Sequence, residues 1–427
     1  MRVFKFGGAS VASADAVRHM AEIVKTHIES APLVVVVSAM GKTTNLLEKL
    51  VPGCAGDHER SELRVDLERY HRDIASDLMP NNTSVQQKIG EWLDKMDAIC
   101  AEFSPSEESY NYQYDQIVSA GELLSTTVIA AYLNDCGVNT CWTDARKMIR
   151  TDMHYREGRV QWDETERLIN TCVGNAKSYD VVLTQGFIGG ASDGSTTTLG
   201  REGSDYSAAV LAYCLEAESV TIWKDVPGFL NADPKYFSDT VKIEQMPYNE
   251  AIELAYYGAS VIHPKTVKPI QNKGIPLYIR SFLDPAAEGS VIGDYRGIVP
   301  ETPLYIVRDN QMLLSVQPRD YSFIAEDNLQ VIFGVMNELG IRVNLMQNSA
   351  LSFSICMDHQ TQRTDLLIEK LSSMFHVRYN DNLQLVTIRY YTPRVIENIV
   401  AGRPILLEQR SRLTEQIIVP NFIGKVQ

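Results

Sequence analysis

Apolar residues in the first two thirds of the chain follow two alternating patterns: short continuous runs, and longer stretches with helical spacing. The run at 32–38 is typical of a buried parallel strand. Further strands are predicted at 3–6, 138–142, 181–184, 220–223 and 277–281. The helical stretches begin near Ala14, Ile117, Tyr206 and Tyr248. This alternation favours one α/β domain at 1–290, with a mostly parallel sheet sandwiched by helices.

The pattern changes around residues 284–303, where prolines and glycines indicate a linker. Beyond it, strands are predicted at 311–317, 342–346, 351–357 and 384–390, with helices at 329–339 and 364–374. This order is βαββαβ. We therefore expect an α+β regulatory region at 304–427, with one complete module and a second, partial one.

The stretch TTTLGREGSDYSAAVLA, residues 196–212, joins a short strand to a helix through a glycine-containing turn. The free N–H groups and the dipole of such a helix start favour an anion, and Arg201 adds a cation suited to carboxylate or phosphate. Asp205 is a carboxylate where anions should bind. Either Ser204 or Asp205 caps the helix, or Asp205 orients a cation that works on phosphates; the residues alone leave both hypotheses open.

Two further loops follow predicted strands. Lys5 ends the first strand and is followed by Gly7 and Gly8, a layout that suits a phosphate. The second strand ends in SAMGKTTN, residues 38–45, where Ser38 and Thr44 offer hydroxyl groups. Gly41-Lys42-Thr43 does not complete a P-loop, because that motif needs a glycine where Val36 stands.

Glu122 lies at the start of an otherwise apolar helix. It is either a solvated carboxylate stabilised by the helix dipole or an acceptor for a substrate amine. Lys224, Asp225 and Lys235 bring charge to the loop that follows the strand at 220–223.

Composition excludes several classes of protein. The 427 residues carry a formal net charge of −14, which argues against binding to nucleic acid or an acidic membrane. The seven cysteines include no Cys-x-x-Cys pair, and no apolar run is long enough to span a bilayer. We expect a reduced, cytoplasmic protein without a signal peptide and without a structural metal site.

Taken together, the motifs resemble those of aspartate kinases, in the amino-acid kinase family. They are KFGGAS (5–10), SAMGKTTNLL (38–47), GELLS (121–125), TTTLGREGSDYSAA (196–209), IWKDVPGFLNADPK (222–235), YYGASVIHPKT (256–266) and IPLYIRS (275–281). The C-terminal region resembles the ACT domains of these enzymes.

The resemblance implies transfer of the ATP γ-phosphoryl group to the side-chain carboxylate of L-aspartate, the entry to lysine, threonine and methionine synthesis. It makes Lys5 and Asp205 catalytic, with Asp205 holding Lys5 beside the phosphate. The implied ATP-binding residues are Lys5, Gly7, Gly8, Lys224, Asp225, Leu230 and Lys235. The implied aspartate-binding residues are Ser38, Thr44, Glu122, Arg201 and Ser204. Mg²⁺ is expected mainly on the ATP phosphates, and a homodimer through the ACT modules is expected.

Three positions depart from the pattern of the family. Glu202 stands where many relatives have glycine, and Ser260 where a lysine often reaches the nucleotide. Asn344 replaces an aspartate that pairs with the effector amine in lysine-inhibited relatives, which argues against lysine control. A polar cluster can still bind a small effector there: Asn344, Gln347, Asn348 and Ser349.

Two alternatives remain at the level of sequence. The first is a related kinase acting on glutamate, N-acetylglutamate or carbamate. The second is a catalytically silent amino-acid sensor that has kept its ACT module. Arg201 and Glu122 favour a free amino acid as substrate, whereas Lys5 and Asp205 argue against a silent protein.

Overall fold

The computed structural model describes residues 1–28, 32–102, 107–259, 261–320 and 322–421. The chain divides into two compact units. The first comprises Met1–Phe229, Ile243–Ile252 and Ser260–Val299. The second comprises Leu230–Lys242, Glu253–Ala259 and Pro300–Gln427.

Strands and α-helices make up most of both units. The strands are β1 (Arg2–Phe6), β2 (Leu33–Val37), β3 (Thr140–Thr143), β4 (Val181–Gln185), β5 (Ile188–Gly190), β6 (Thr196–Thr198), β7 (Ser219–Lys224), β8 (Phe229–Leu230), β9 (Lys242–Ile243), β10 (Gln245–Pro247), β11 (Leu277–Ser281), β12 (Ser290–Gly293), β13 (Leu304–Pro318), β14 (Val343–Asn348), β15 (Phe353–Asp358), β16 (Phe375–Arg389), β17 (Leu407–Arg410) and β18 (Thr414–Pro420). The α-helices are α1 (Ala14–Ile28), α2 (Thr43–Leu50), α3 (Asp57–Leu78), α4 (Thr83–Ala101), α5 (Glu107–Val118), α6 (Ala120–Asp135), α7 (Trp162–Asn175), α8 (Gly203–Cys214), α9 (Tyr248–Tyr257), α10 (Pro264–Lys273), α11 (Glu326–Glu338), α12 (Thr361–Ser372) and α13 (Pro393–Val400).

The first unit is built on an eight-stranded sheet in the order β10-β12-β11-β7-β1-β2-β4-β3. Its paired strands are parallel except for β11 and β12. This confirms the predicted α/β class with a mostly parallel sheet. The predicted strand bounds agree to within one or two residues in most cases; β3 begins two residues later than predicted.

Alternation along β1 decides which side chains face which helices. Phe4 and Phe6 join the core that α1 and α6 cover. Lys5 therefore points to the opposite face, where α8 packs against β1, β2 and β7. Lys5 is in register with Ile222 on the neighbouring parallel strand β7. Lys224 is two residues further along β7, so it lies on the same face of the sheet as Lys5, at the carboxyl end of the strand. Two lysines therefore lie at one edge of the sheet.

Two predictions about residue stretches in this unit are refined. The predicted linker at 284–303 contains β12, which pairs with β10 and β11 and so completes the sheet. Among the described residues, only the helical stretch Ser109–Asp135 is long and apolar enough to cross a membrane. Of its most apolar window, 83% is buried inside the protein, which is typical of a core helix.

The second unit contains a six-stranded antiparallel sheet in the order β14-β15-β13-β16-β18-β17. Strand β13, helix α11, strands β14 and β15, helix α12 and strand β16 follow in the predicted βαββαβ order. Strands β13 and β16 are longer than predicted, and their pairing shifts register between Arg308 and Leu313. The shift separates two apolar cores, one around Leu314 and Ile355 and one around Ile388 and Ile417.

Candidate active site

Three charged side chains meet at the carboxyl edge of the large sheet. Lys5 Nζ lies 2.6 Å from Asp205 Oδ1, and Lys224 Nζ lies 3.3 Å from Asp205 Oδ2. Lys224 also donates to the carbonyl oxygen of Val261 at 2.5 Å. Lys5 and Asp205 are only 8% and 3% exposed, so their charges interact with little screening by water.

The electrostatics favour the ionised form of this cluster. Burial alone would raise the pKa of Asp205, but the charges of Lys5 and Lys224 outweigh burial and hold that pKa below its ordinary value. Helix α8 begins at Gly203, earlier than predicted, and its N-cap is Glu202, which makes no side-chain cap bond. The capping hypothesis for Ser204 or Asp205 is therefore wrong, and Asp205 instead orients two cations.

The triad opens on a cleft of about 730 Å³. Most of the residues predicted for aspartate and for the phosphates line it, namely Lys5, Ser38, Thr44, Glu122, Arg201, Ser204, Asp205 and Lys224. These residues come from the carboxyl ends of β1, β2 and β7, from the first turns of α2, α6 and α8, and, for Arg201, from the turn before α8. The parallel sheet gathers them because the carboxyl ends of its strands share one edge.

Glu122 provides a buried carboxyl group in this cleft. Its Oε1 accepts a hydrogen bond from the backbone N–H of Ala39 at 3.2 Å, and Oε2 has no hydrogen-bond partner among the described residues. Burial raises the pKa of Glu122 to about 8. At 2% exposure it is not the solvated carboxylate of the first hypothesis. Its free oxygen can accept a hydrogen bond from a cationic ligand.

Some predicted nucleotide residues lie elsewhere. A Cβ on Gly8 would lie 2.7 Å from the carbonyl oxygen of Gly41, so the close packing of these two loops is sufficient to explain this glycine. Gly7 lies next to Lys5 Nζ. Asp225 is exposed beyond the end of β7. Leu230 and Lys235 belong to the second unit. There, Lys235 Nζ lies 2.9 Å from Asp309 Oδ2. Ser260 lies outside the described residues.

Among the predicted effector residues, Asn344 forms three hydrogen bonds within the second unit. Its Oδ1 accepts from Arg308 at 3.0 Å. Its Nδ2 donates to Gln311 at 2.8 Å and to Asp358 at 2.9 Å. Gln347, Asn348 and Ser349 are exposed at the end of β14, and Ser349 Oγ lies 2.8 Å from the hydroxyl of Ser352. An effector that accepts from the Asn344 amide must therefore displace one of these contacts, whereas an effector that donates can use the second lone pair of Oδ1.

Sequence reasoning missed one wall of the cleft. Arg156 lies over the ring of Tyr114, with 4.5 Å between the guanidinium carbon and the ring centroid. Buried Asp115 accepts from the backbone N–H groups of Arg156 and Thr198, both at 2.8 Å, and from the Thr198 hydroxyl at 2.7 Å. The only signal was a polar, aromatic stretch at 104–114 without periodicity. Of that stretch, 104–106 lie outside the described residues.

The arrangement suits stabilisation of anions rather than acid–base catalysis. In the part of the chain that the structure describes, no group of three or more His, Cys, Asp or Glu side chains could hold a metal ion. Two lysines and Arg201 line the cleft and give it fixed positive charge of the kind that stabilises bound anions.

Comparisons with known proteins agree with this chemistry. The family model described as "Amino acid kinase family" matches residues 1–281. Lysine-sensitive aspartokinase 3 of Escherichia coli is 32% identical over 397 residues, which are 90% of this chain and 86% of that protein. The crystal structure of E. coli aspartokinase III in complex with aspartate and ADP matches with a TM-score of 0.82 and 30% identity, covering 98% of this chain and 96% of that one. A second structure of that enzyme, with lysine and aspartate, matches equally well. The chain therefore belongs to the amino acid kinase family and, within it, to the aspartokinases.

Proposed function

We propose that this protein phosphorylates the side-chain carboxylate of L-aspartate with ATP, giving 4-phospho-L-aspartate and ADP. This is the first step of the pathway to lysine, threonine and methionine. The observation that carries the proposal is the buried carboxylate of Asp205, which holds Lys5 and Lys224 beside a cleft that also contains Glu122 and Arg201. The E. coli enzyme was crystallised with aspartate and ADP.

The reaction needs little covalent help from the protein. A carboxylate oxygen of aspartate attacks the γ-phosphorus, and the bond from that phosphorus to the bridging oxygen of ADP breaks. The aspartate carboxylate is already ionised at neutral pH, so no general base is needed. Lys5 and Lys224 stabilise the charge on the transferring group, which is the main requirement of phosphoryl transfer.

We assign the substrate contacts by charge. Arg201 has a planar guanidinium that suits the α-carboxylate of aspartate. The unpartnered Oε2 of Glu122 suits its ammonium group. Ser38, Thr44 and Ser204 line the same cleft and complete the pocket. A substrate that lacks either α-group, such as carbamate, leaves one of these charges unmatched.

Several features remain part of the proposal. Mg²⁺ accompanies ATP, is held mainly by the ATP phosphates and neutralises their charge. The protein acts in the cytoplasm, in keeping with its seven free cysteines and acidic composition. It does not bind nucleic acid or membranes.

It forms a homodimer through its ACT modules. Sedimentation at assay concentration tests this, and a monomer alone would contradict it.

The decisive experiment measures ADP release with Mg·ATP and a panel of acceptors: aspartate, glutamate, N-acetylglutamate and none. Each is run with and without lysine or threonine. Turnover with aspartate alone is expected. Turnover with another acceptor in place of aspartate would contradict the proposal and favour a related kinase. The absence of turnover with every acceptor would also contradict it and favour a silent sensor. If lysine leaves the rate unchanged, we expect the reason to be that Asn344 replaces the aspartate carboxylate that pairs with the effector amine in lysine-inhibited relatives.

A further inference from the structure

Glu202 occupies an unfavourable position for a glutamate. It has φ 53° and ψ 29°, the left-handed region in which glycine is the least strained residue. Its Oε2 is buried and has no hydrogen-bond partner among the described residues. A buried carboxylate oxygen without a donor is costly unless a ligand supplies the missing contact.

Three cations act on Glu202, and two of them, Lys5 and Lys224, are already committed to other groups; the third, Arg201, is exposed. Lys5 Nζ contacts Asp205, and Lys224 Nζ contacts both Asp205 and the carbonyl oxygen of Val261. Burial raises the pKa of Glu202, although the charge of Lys224 opposes this effect. In its ionised form, Glu202 adds negative charge to the cleft that the two lysines line. That charge repels a bare nucleotide unless a cation stands between them.

We infer that Glu202 is a protein ligand of the divalent cation that accompanies the nucleotide, so that this cleft selects the metal-bound form. The inference rests on the proposed function, because it needs a nucleotide in the cleft. It fits the chemistry of Mg²⁺, which is commonly held by one or two carboxylates together with substrate phosphates and water. It also gives a role to a residue that departs from the glycine usual in the family.

Binding of ADP without turnover tests the inference. Calorimetric titration of the full chain with ADP is carried out in Mg²⁺ and in a chelator, for the wild type and for Glu202→Gln and Glu202→Gly. The quantity compared is the ratio of the Kd for metal-free ADP to the Kd for Mg·ADP. We expect this ratio to be at least ~10-fold larger in the wild type than in either variant. The glycine variant suits the left-handed backbone, so it keeps the measurement possible if the glutamine variant folds poorly.

Glu157→Gln is the matched control, because Glu157 is an exposed glutamate that lines the same cleft. With Mn²⁺ as the probe, electron paramagnetic resonance gives the metal affinity of the ADP complex. A loss of at least ~10-fold in Glu202→Gln, absent in Glu157→Gln, would support ligation. Equal effects in both variants, or none, would overturn it. A wild type that binds no ADP with or without metal would contradict the proposed function as well.

Discussion

Replacing Glu122 by glutamine tests how the cleft recognises the substrate ammonium. With a pKa of about 8, the buried Glu122 carboxyl is ~90% protonated at pH 7 in the empty cleft. An ammonium group beside Oε2 favours the ionised form, so aspartate binding should release the proton. We expect ~0.9 proton released per aspartate at pH 7 and ~0.5 at pH 8 from the wild type. The glutamine variant should release none and bind aspartate at least ~10-fold more weakly, because the charge is lost.

The assay is calorimetric titration with aspartate in buffers of different ionisation enthalpy, since the slope of the observed enthalpy against buffer enthalpy gives the number of protons. Glu157→Gln serves again as the control, because it removes an exposed carboxylate from the same cleft. Equal proton release by the wild type and Glu122→Gln would refute the assignment of Glu122 to the ammonium. So would a glutamine variant with unchanged aspartate affinity.

The same substitution should change stability in a known direction. The pKa of Glu122 is raised from its ordinary 4.5 to about 8 in the folded protein, so its favourable contribution is complete below 4.5 and is lost as pH rises through 8. The ionisation cost reaches ~3 kcal/mol at pH 7 and ~5 kcal/mol above pH 8, as upper limits. Without aspartate, the melting temperature of Glu122→Gln should therefore exceed that of the wild type by more at pH 8 than at pH 5. A constant difference would contradict the burial argument.

Three other substitutions have defined outcomes. Lys5→Ala should lower kcat at least ~10²-fold, because one preorganised charge beside the transferring phosphate is lost; near-normal turnover of the folded variant would exclude this role. Arg201→Ala should raise KM for aspartate far more than KM for ATP, and equal increases would contradict its assignment to the α-carboxylate. Burial lowers the pKa of His71 to about 4, so the wild type loses up to ~3 kcal/mol of stability as pH falls from 6.5 to 4. His71→Leu should flatten the fall in melting temperature over that interval, and an unchanged slope would show that other groups cause it.

Much of the fold could be predicted from local pattern. The apolar run of β2 and the one that begins β4 are buried on both faces of a parallel sheet, so their burial shows directly in the sequence. The helix α9 begins at Tyr248, where the sequence predicts it. The beginning of α8 was missed because the turn before it holds Gly200 and Glu202 at positive φ, which lets the helix start at Gly203.

The parts of the site that escaped prediction depend on contacts between distant residues. Asp205, on α8, forms an ion pair with Lys224, which lies on β7. The sequence alone does not show that these two residues meet, so it could not decide between a helix cap and an ion pair. Burial of Glu122 depends on the packing of α6 against the sheet, and no local feature of a first-turn glutamate reveals it. The long strand β13 was half predicted, because its register shift follows from pairing with β16 rather than from its own sequence.

Three features of the cleft would each be unfavourable in an empty protein. The pairing of Asp205 with two lysines is a buried ionic cluster, and such clusters add little stability for the desolvation they cost. Glu122 keeps a buried oxygen without a partner, and Glu202 combines such an oxygen with a left-handed backbone. Among the described residues, other buried polar atoms without a partner, such as His71 Nε2 and Trp223 Nε1, are scattered over the fold, whereas these three carboxylates all line one cleft. Convergence of locally unfavourable features on one site is expected where the missing partners are ligands, because each buried charge then serves the bound state rather than the empty one. A cation for Glu122, a divalent metal for Glu202 and an anion for the two lysines together describe the complement of this cleft: an amino acid and a metal-bound nucleotide.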